Sequence, residues 1–314
     1  MKPIPGAKPP ERQELGRFSD RLSFLYAERC IVHREDNAVT FTDQSGTTHA
    51  PAAMLAALVL GPGTRVSHAA MSLLGICGVS VVWVGENGVR YYAHGRSPSG
   101  SSRMAEAQAK LVTNTRSRLR VAREMYRMRF GDEDVSSATM SQLRGFEGAR
   151  MRKLYKLHSD RTGVKWSRRN YDPEDFASSD RVNTALTVGY TAMYGIAHAA
   201  IVSIGCIPAL GFVHTGTDRA FTYDVADLYK ADVVIPAAFD LAADDGDDVE
   251  GDMRRAVRDA IVAQKILQRM VRDIRTLLGV DEGDESAPEP QLFLWSEAGR
   301  VQARQNYSDA ENAS

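Results

Sequence analysis

The chain has 314 residues, of which 43% are hydrophobic, and this length and apolar content suit two globular domains with cores of their own. The formal net charge is only −1, yet residues 101–181 hold 18 Lys and Arg against 11 Asp and Glu, and residues 240–252 hold seven acids and no base. The basic part is either a surface for nucleic-acid phosphates or a solvated helix face.

The cysteines and the N-terminal residues bear on the cellular compartment. Cys30, Cys77 and Cys206 lie far apart, which argues against a disulfide framework or a CxxC metal motif and favours a reducing cytoplasm. Prolines and charges occupy residues 1–18, where a signal peptide would have its apolar segment, so we expect no export signal and a cytoplasmic protein.

Residues 23–97 predict mainly strands, because "FLYAERCIVHRED", "AVTFTDQSGTTHAPA" and "VSVVWVGENGVRYYAHG" are rich in β-branched and aromatic residues. The Asn87-Gly88 dipeptide within the last of these predicts a tight hairpin. One short helix is expected from His68 to Ile76, with Ser67 as its N-cap and Gly78 closing it. The segment "GRSPSGSS" at 95–102 then predicts a domain boundary.

After this boundary the hydrophobic period is helical, and helices are predicted at 103–129, 140–161, 177–205, 220–230, 236–243 and 248–278. The sequence therefore predicts an α+β protein of two domains. These are a β-rich N-terminal domain over 1–97 and an all-α domain over 98–280, followed by an acidic, proline-bearing tail over 281–314. Within the tail, "QLFLW" is either a segment that docks on a partner or a strand that returns to its own fold.

A run without formal charge extends from Val182 to Thr217. Its apolar content is compatible with a membrane span or with a buried central helix. Polar residues inside the run, such as Asn183, His198 and Ser203, favour the buried helix. Small residues such as Gly189 would let neighbouring helices approach it closely. We therefore interpret the run as a buried helix and expect no association with a membrane.

An acid lies on the apolar face of the helix predicted at 140–161. Leu143, Glu147, Met151 and Leu154 share one helical stripe. A carboxylate on that side is costly unless it is paired or bound to a metal. The partner of Glu147 is therefore either a basic residue such as Arg150 or a metal ion.

Two further acids and a histidine follow in "GFVHTGTDRAFTYDVADLYK". Asp224 and Asp227 are three residues apart on an apolar helix face, whereas Asp218 lies in the preceding turn. An aspartate pair is often solvated or capping, and a lone histidine such as His214 is often merely hydrogen-bonded. Together with Glu147 they form a hard-ligand set suited to Mg²⁺ or Mn²⁺, although their spacing leaves open whether they meet.

Five blocks, "GPGTRVSHAA", "VVWVGENGVRYYA", "QLRGFEGARMR", "RRNYDPEDF" and "GFVHTGTDRAFTYDVADLYKADVVIPAAF", resemble in order and spacing the CRISPR-associated integrase family. The resemblance covers roughly residues 15–280 and is to the version found with subtype E of type I systems. It implies a metal-dependent DNA endonuclease and integrase with a β-rich and an all-helical domain. The reaction implied is transesterification without ATP, in which a 3′-hydroxyl attacks a phosphodiester of the repeat.

The same resemblance implies the partners. The family forms homodimers, which join a dimer of a small ferredoxin-like protein in a four-plus-two complex. This complex captures a short foreign DNA duplex with 3′ overhangs and inserts it beside the repeat DNA at the leader end of a CRISPR array.

Site residues follow from the resemblance position by position. Glu147, His214 and Asp227 match the metal ligands, Asp224 matches a further acid needed for activity, and Tyr194 matches an active-site tyrosine. Residues implied near DNA are Arg65 and Arg90 along the DNA path, Arg169, Tyr171 and Phe176 in a pocket for the protospacer-adjacent trinucleotide, and Tyr26 as a wedge at the duplex end.

Two positions depart from the family pattern. Phe176 stands where tryptophan is common, and Thr217 stands where a lysine can read a base. A threonine lacks the long cationic donor of such readout. The sequence therefore does not predict a motif preference.

Two other functions are alternatives. One is a catalytically inert DNA-bridging scaffold, in which the same acids only form buried ion pairs. The other is a small-molecule metallohydrolase, against which the sequence offers long basic faces rather than a compact apolar pocket.

Overall fold

The computed structural model describes residues 23–85, 91–95, 102–131, 134–169, 180–244, 246–280, 293–296 and 299–302. The chain divides into two compact units, residues 1–280 and residues 281–314. The domain boundary predicted near residue 97 lies inside the first unit and stays a prediction.

Two four-stranded sheets form the N-terminal part of the first unit. Their strands are β1 (Ser23–Ala27), β2 (Ile31–Glu35), β3 (Ala38–Asp43), β4 (Gly46–Pro51), β5 (Leu55–Leu60), β6 (Arg65–Val66), β7 (Ser80–Val84) and β8 (Tyr91–His94). One sheet has the order β1-β5-β7-β8 and the other β4-β3-β2-β6. Strands β7 and β8 are antiparallel, as the predicted hairpin requires, while its turn at 86–90 lies outside the described residues.

The short helix of this part, α1 (His68–Ile76), is confirmed. The Ser67 hydroxyl accepts the amide N–H of Ala70, so it caps the helix as predicted. Buried leucines of α1 pack with Val32 and Leu58 from the sheets in an N-terminal core.

The helical part contains α2 (Arg103–Thr113), α3 (Thr115–Phe130), α4 (Met140–Thr162), α5 (Arg181–Ser203), α6 (Ala220–Ala243), α7 (Val249–Ala263) and α8 (Ile266–Leu278). The prediction of one helix over 103–129 was wrong. Asn114 adopts an extended backbone, and its side chain accepts the amide N–H groups of Arg116 and Ser117, so a second helix begins there.

Three other helix boundaries differ from the prediction. The helix expected over 248–278 is interrupted where Lys265 takes a left-handed conformation. The helices expected at 220–230 and 236–243 form the single helix α6, which continues through Pro236. Pro236 removes one backbone hydrogen bond, but buried residues on both sides of it hold α6 in the core. Finally, α5 begins at Arg181, after the N-cap Asp180.

Helix α5 is the central element of the helical core, as its uncharged sequence predicted. Its length and hydropathy would suit a membrane span, but 78% of its most apolar window is buried inside the protein. No other helix in the described part of the chain meets those criteria. A side chain at Gly189 would collide with Val234 and Met253, so glycine permits the close approach of α6 and α7.

The N-terminal sheet and the helical core are in direct contact within the first unit. Val59 of β5 and Val82 of β7 belong to the same buried cluster as α5 and α6. An added methyl group at Gly195 would lie 3.4 Å from Val59. The sheet β1-β5-β7-β8 therefore supports the central helix, which carries part of the site described below.

The second unit contains an antiparallel hairpin of β9 (Phe293–Ser296) and β10 (Gly299–Gln302). Three residues of "QLFLW" lie in β9, where Trp295 pairs with Arg300. The apolar segment thus pairs with a strand of its own chain, and its docking on a partner stays a prediction.

Candidate active site

A turn over residues 211–216 folds back on the first turns of α6 because of Asp224. The Asp224 carboxylate accepts the amide N–H groups of Phe212, Val213 and His214 at 2.6, 3.0 and 2.9 Å. It also binds Nδ1 of His214 at 2.7 Å, and its side chain is fully buried. A buried carboxylate with four such partners is well satisfied.

This contact fixes the histidine ring. The hydrogen bond to Asp224 raises the pKa of His214, although burial acts in the opposite direction. Because Nδ1 faces Asp224, Nε2 is the ring nitrogen left for a ligand.

One helical turn further along α6, Asp227 is held by a cation instead. The ammonium group of Lys230 donates to Asp227 Oδ1 at 2.6 Å and to the Tyr194 hydroxyl at 2.7 Å. Burial would raise the pKa of Asp227, but the charges of Lys230, Arg129 and His214 hold it below its usual value. Both predicted acids of α6 thus point inward as expected, Asp224 without exposure and Asp227 with 15% of its side chain exposed.

Glu147 on α4 is also paired with a cation. Nη1 of Arg129 donates to Glu147 at 2.6 Å, and the Tyr126 hydroxyl donates at 2.8 Å. Arg129 comes from α3 and is almost buried, with 8% of its side chain exposed. The arginine suggested by the sequence, Arg150, has its guanidinium over the ring of Phe130 at 4.6 Å. Of the two kinds of partner considered for Glu147, the structure shows a basic residue, and this residue is Arg129 and not Arg150.

Electrostatics relate these three positions, which lie far apart in the sequence. Arg129, the partner of Glu147, and His214 are both among the charges that lower the pKa of Asp227. The pKa of Tyr126, which also binds Glu147, is raised first by burial and in part by Asp227. Charges near Glu147 and His214 therefore act on Asp227, while the meeting of the three residues as ligands stays a prediction.

The structure does not assemble these residues into a metal cage. Among the described residues, no group of three or more His, Cys, Asp or Glu side chains has an arrangement that could hold a metal ion. Both candidate carboxylates face a protein cation instead. The chemistry of the donor set, two carboxylates and one imidazole, nevertheless fits a hard divalent ion such as Mg²⁺ or Mn²⁺.

The other predicted residues lie in different surroundings. Tyr194 belongs to the site, since its hydroxyl accepts from Lys230 and its ring lies edge-on to Tyr223 with centroids 4.9 Å apart. Asp218 is exposed in the turn before α6, as expected of a loop residue. Arg65 is exposed on β6.

Two of the predicted DNA contacts are engaged within the protein. Tyr26 donates its hydroxyl to Glu28 at 2.8 Å, and the guanidinium of Arg254 lies 5.3 Å from its ring centroid. Arg169 donates to the Asn183 side chain at 2.8 Å. Arg90, Tyr171 and Phe176 lie outside the described residues, and every one of these DNA contacts stays a prediction.

Sequence reasoning missed Lys230 and Arg129, the two cations of the site. The spacing of three residues between Asp227 and Lys230 on one helix could have indicated their pair. Arg129 gave no comparable signal, because it reaches Glu147 from another helix.

Comparisons with known proteins agree with one another. A family model described as CRISPR associated protein Cas1 matches residues 24–133 and 132–272. The CRISPR-associated endonuclease Cas1 of Clostridium sp. (strain SY8519) is 51% identical over 296 residues, which cover 93% of this chain and 98% of that protein. The CRISPR-associated endonuclease Cas1 2 of Thermus thermophilus is 43% identical, covering 96% of this chain and 94% of that protein. A crystal structure of a TtCas1–DNA complex is similar with a TM-score of 0.79 and 43% identity, covering 90% of this chain and 100% of that one.

Proposed function

Since this chain belongs to the CRISPR-associated protein Cas1 family, we propose that it acts by metal-dependent strand transfer at the site around Asp227. The chain is a DNA endonuclease and integrase of CRISPR adaptation. The observation that carries the proposal is the placement of three donors by two helices and a turn: Glu147 and Asp227 each paired with a cation at 2.6 Å, and His214 held through Nδ1 by Asp224.

In this proposal Glu147, His214 and Asp227 hold Mg²⁺ or Mn²⁺. A bound ion of this kind supplies Lewis-acid polarisation of a phosphoryl oxygen and lowers the pKa of an attacking hydroxyl. Asp224 orients His214 through Nδ1 and so presents Nε2. Asp224 is therefore a positioning residue and not a ligand.

The remaining polar groups of the site suit a phosphodiester substrate. Arg129 and Lys230 place two positive charges beside the two carboxylates, and positive charges at such a site favour the anionic transition state of phosphoryl transfer. The Tyr194 hydroxyl accepts a hydrogen bond from Lys230, so its own proton can be donated to a substrate oxygen. The reaction proposed is attack of a DNA 3′-hydroxyl on a phosphodiester of the CRISPR repeat.

We further propose how DNA is held. The related TtCas1 protein has a structure in complex with DNA, and α3 and α4 of this chain carry most of the basic residues between 101 and 181. Phosphate neutralisation by these helices would supply much of the affinity. More specific contacts are assigned to Arg65 and Arg90 on the DNA path, Arg169, Tyr171 and Phe176 in the trinucleotide pocket, and Tyr26 at the duplex end.

The assembly is a proposal of the same kind. Two homodimers of this chain would join a dimer of a small ferredoxin-like partner in a four-plus-two complex that holds a duplex with 3′ overhangs. We propose that the protein acts in the cytoplasm. We also propose that it belongs to a subtype E system of type I, on the basis of the five sequence blocks and the 38% identity to the Escherichia coli relative over 272 residues.

The test is half-site integration of a labelled duplex into a supercoiled plasmid that carries a CRISPR array, with partner protein present. We expect strand transfer with Mn²⁺ and none with a chelator. Glu147→Gln and Asp227→Asn should lower the rate by at least about 100-fold while DNA affinity is retained. The matched control is Glu124→Gln, which changes a partly exposed glutamate paired with Arg127 on α3.

Two results would contradict the proposal. Unchanged integration by Glu147→Gln or Asp227→Asn would remove these residues from the site. Absence of strand transfer by the wild-type protein with and without Mn²⁺ would favour the DNA-bridging scaffold, in which Glu147 and Asp227 serve only in ion pairs.

A further inference from the structure

Two consecutive peptide groups just before the candidate histidine are held from both sides by side chains of opposite charge. Nη2 of Arg118 on α3 donates to the carbonyl oxygen of Gly211 at 3.1 Å, and its Nε donates to that of Phe212 at 2.9 Å. The amide N–H groups of the same two peptides, on Phe212 and Val213, donate to Asp224. Because the C=O and N–H of a trans peptide point in opposite directions, Arg118 and Asp224 lie on opposite sides of this backbone.

This arrangement joins a guanidinium and a carboxylate through two polarised peptide groups. A cation at the carbonyl oxygen and an anion at the amide hydrogen both increase the dipole of the same peptide, so the hydrogen bonds on its two sides strengthen each other. Asp224 is fully buried and Arg118 is half-buried, which limits the competition from water. Arginine suits this position because its fork of donors reaches two neighbouring oxygens, whereas the ammonium group of a lysine is a point charge.

The residues before these peptides are anchored separately, by α2. Gln108 is buried without exposure, and its Nε2 donates to the carbonyl oxygens of Ile207 and Leu210 at 2.9 Å each. Its Oε1 accepts the amide N–H of Ile207 at 2.8 Å. Since Gln108 fixes residues 207–210, the part of the loop that depends on Arg118 and Asp224 begins at residue 211.

The position of His214 is tied to these two peptides. His214 directly follows them, and both its amide N–H and its Nδ1 bind Asp224. A β-carbon at Gly211 would collide with the carbonyl oxygen of His214, so the backbone of the turn is closely packed upon itself. A shift of residues 211–213 would therefore displace His214 as well.

We propose that Arg118 is a positioning residue that clamps the peptides at 211–213 against Asp224 and so keeps Nε2 of His214 directed at the candidate site. This inference rests on the proposed function and deepens it, because His214 is there assigned as a metal ligand. It also gives α3 two tasks, since the helix that presents Arg129 to Glu147 also holds the turn of the histidine.

The first measurement is amide hydrogen exchange of the full-length protein without metal, followed by mass spectrometry that resolves short segments. The variant is Arg118→Lys, which keeps the positive charge but loses the fork that binds both carbonyl oxygens. We expect the amides of residues 212–214 to exchange roughly tenfold faster than in the wild-type protein, in keeping with the loss of one hydrogen bond to a charged group. The amide of Ile207, which Gln108 holds, should exchange at its wild-type rate.

The second measurement is Mn²⁺ binding by isothermal titration calorimetry without DNA. Because Arg118→Lys preserves the charge, a change in affinity reports the geometry of the turn and not a change in the repulsion of the metal ion. We expect Mn²⁺ to bind Arg118→Lys roughly fivefold more weakly, since the orientation of a ligating imidazole contributes to metal affinity. In a His214→Gln background the same substitution should have no further effect, because Arg118 acts on the metal only through His214.

Arg258→Lys is the matched control. Arg258 is an exposed arginine of α7 that pairs with Asp259, so the substitution makes the same chemical change away from the turn. Hydrogen exchange at 212–214 and Mn²⁺ affinity should both equal those of the wild-type protein.

The two measurements separate failure of this inference from failure of the proposed function. Wild-type exchange of residues 212–214 in Arg118→Lys would overturn the clamp. Unchanged Mn²⁺ affinity in Arg118→Lys would overturn the positioning role if His214→Gln does bind Mn²⁺ more weakly, and so would an equal loss in the presence and absence of His214. If His214→Gln itself has wild-type affinity, the proposed function loses this ligand, whereas faster exchange in Arg118→Lys still supports the clamp.

Discussion

The acids of the candidate site are held in two different ways. Asp224, next to His214, is bound by three backbone amide groups and by the imidazole. Asp227 and Glu147 are bound mainly by the side-chain cations Lys230 and Arg129. Backbone donors in a turn keep their positions unless the turn unfolds, whereas a lysine or an arginine can exchange one anionic partner for another by rotating its side chain.

This difference indicates separate roles for acids that look alike in the sequence. An acid fixed by the backbone serves to build the turn and to orient the histidine. An acid paired with an exchangeable cation can bind a metal ion when its ion pair breaks. This difference supports the proposal that Asp224 serves structure and positioning and that Glu147 and Asp227 are the ligands.

The substitution expected to have the largest effect on stability is Asp224→Asn. The amide nitrogen of asparagine cannot accept a hydrogen bond, so at least one buried group that Asp224 satisfies would lose its acceptor. We expect the free energy of unfolding to fall by about 3 kcal/mol. Urea denaturation followed by circular dichroism measures this change.

The control for that experiment is Asp232→Asn, which alters an exposed acid of the same helix. It should change the free energy of unfolding by less than about 0.5 kcal/mol. An equally small effect of Asp224→Asn would break the distinction between the two kinds of acid.

A smaller effect is expected on metal affinity when the cation beside Glu147 is removed. Arg129→Gln leaves Glu147 without its ion pair and takes away one of the charges that lower the pKa of Asp227. A divalent ion then no longer competes with the guanidinium, and we expect Mn²⁺ to bind the protein roughly tenfold more tightly. Isothermal titration calorimetry without DNA measures the dissociation constant.

Arg127→Gln is the matched control, because Arg127 is exposed on the same helix and pairs with Glu124. It should leave the affinity for Mn²⁺ unchanged. Weaker binding by Arg129→Gln would show instead that the arginine holds Glu147 in the orientation that ligation needs, and Glu147 would then belong with Asp224 as a fixed acid.

The smallest effect concerns pH. Asp224 raises the pKa of His214 above the ordinary value of 6.5, so the folded protein binds the proton more tightly than the unfolded chain. The resulting stabilisation is complete below the unfolded value and is lost as the pH rises through the raised value. It should be modest, because 42% of the His214 side chain is exposed and solvent screens the pair.

Comparison of the wild-type protein with His214→Gln, in the presence of a chelator, measures this contribution. The difference in Tm between the two proteins should be larger at pH 5.5 than at pH 8.5. A difference that grows with pH would show that neutral His214 is the form favoured by the fold, contrary to the role given to Asp224.

Local sequence patterns determined much of this architecture. Residues close together in the chain predicted the cap at Ser67 and the change from a strand to a helical hydrophobic pattern. They also predicted the burial of α5 and the inward placement of Glu147 and Asp227. Helix ends were less well determined. The breaks at Asn114 and Lys265 and the continuity through Pro236 depend on side-chain caps and on packing that the hydrophobic period does not report.

Tertiary structure alone decided the partners in the site. Hydrophobic periodicity identifies the side of a helix that faces the interior, but not the element that lies opposite. Arg150 is near Glu147 in sequence, yet Arg129 forms the pair because α3 packs beside α4. In the same way, the long contact between α5 and α6 brings Tyr190 and Tyr194 to Lys230. The sequence thus determined which acids turn inward, and helix packing decided which cations meet them.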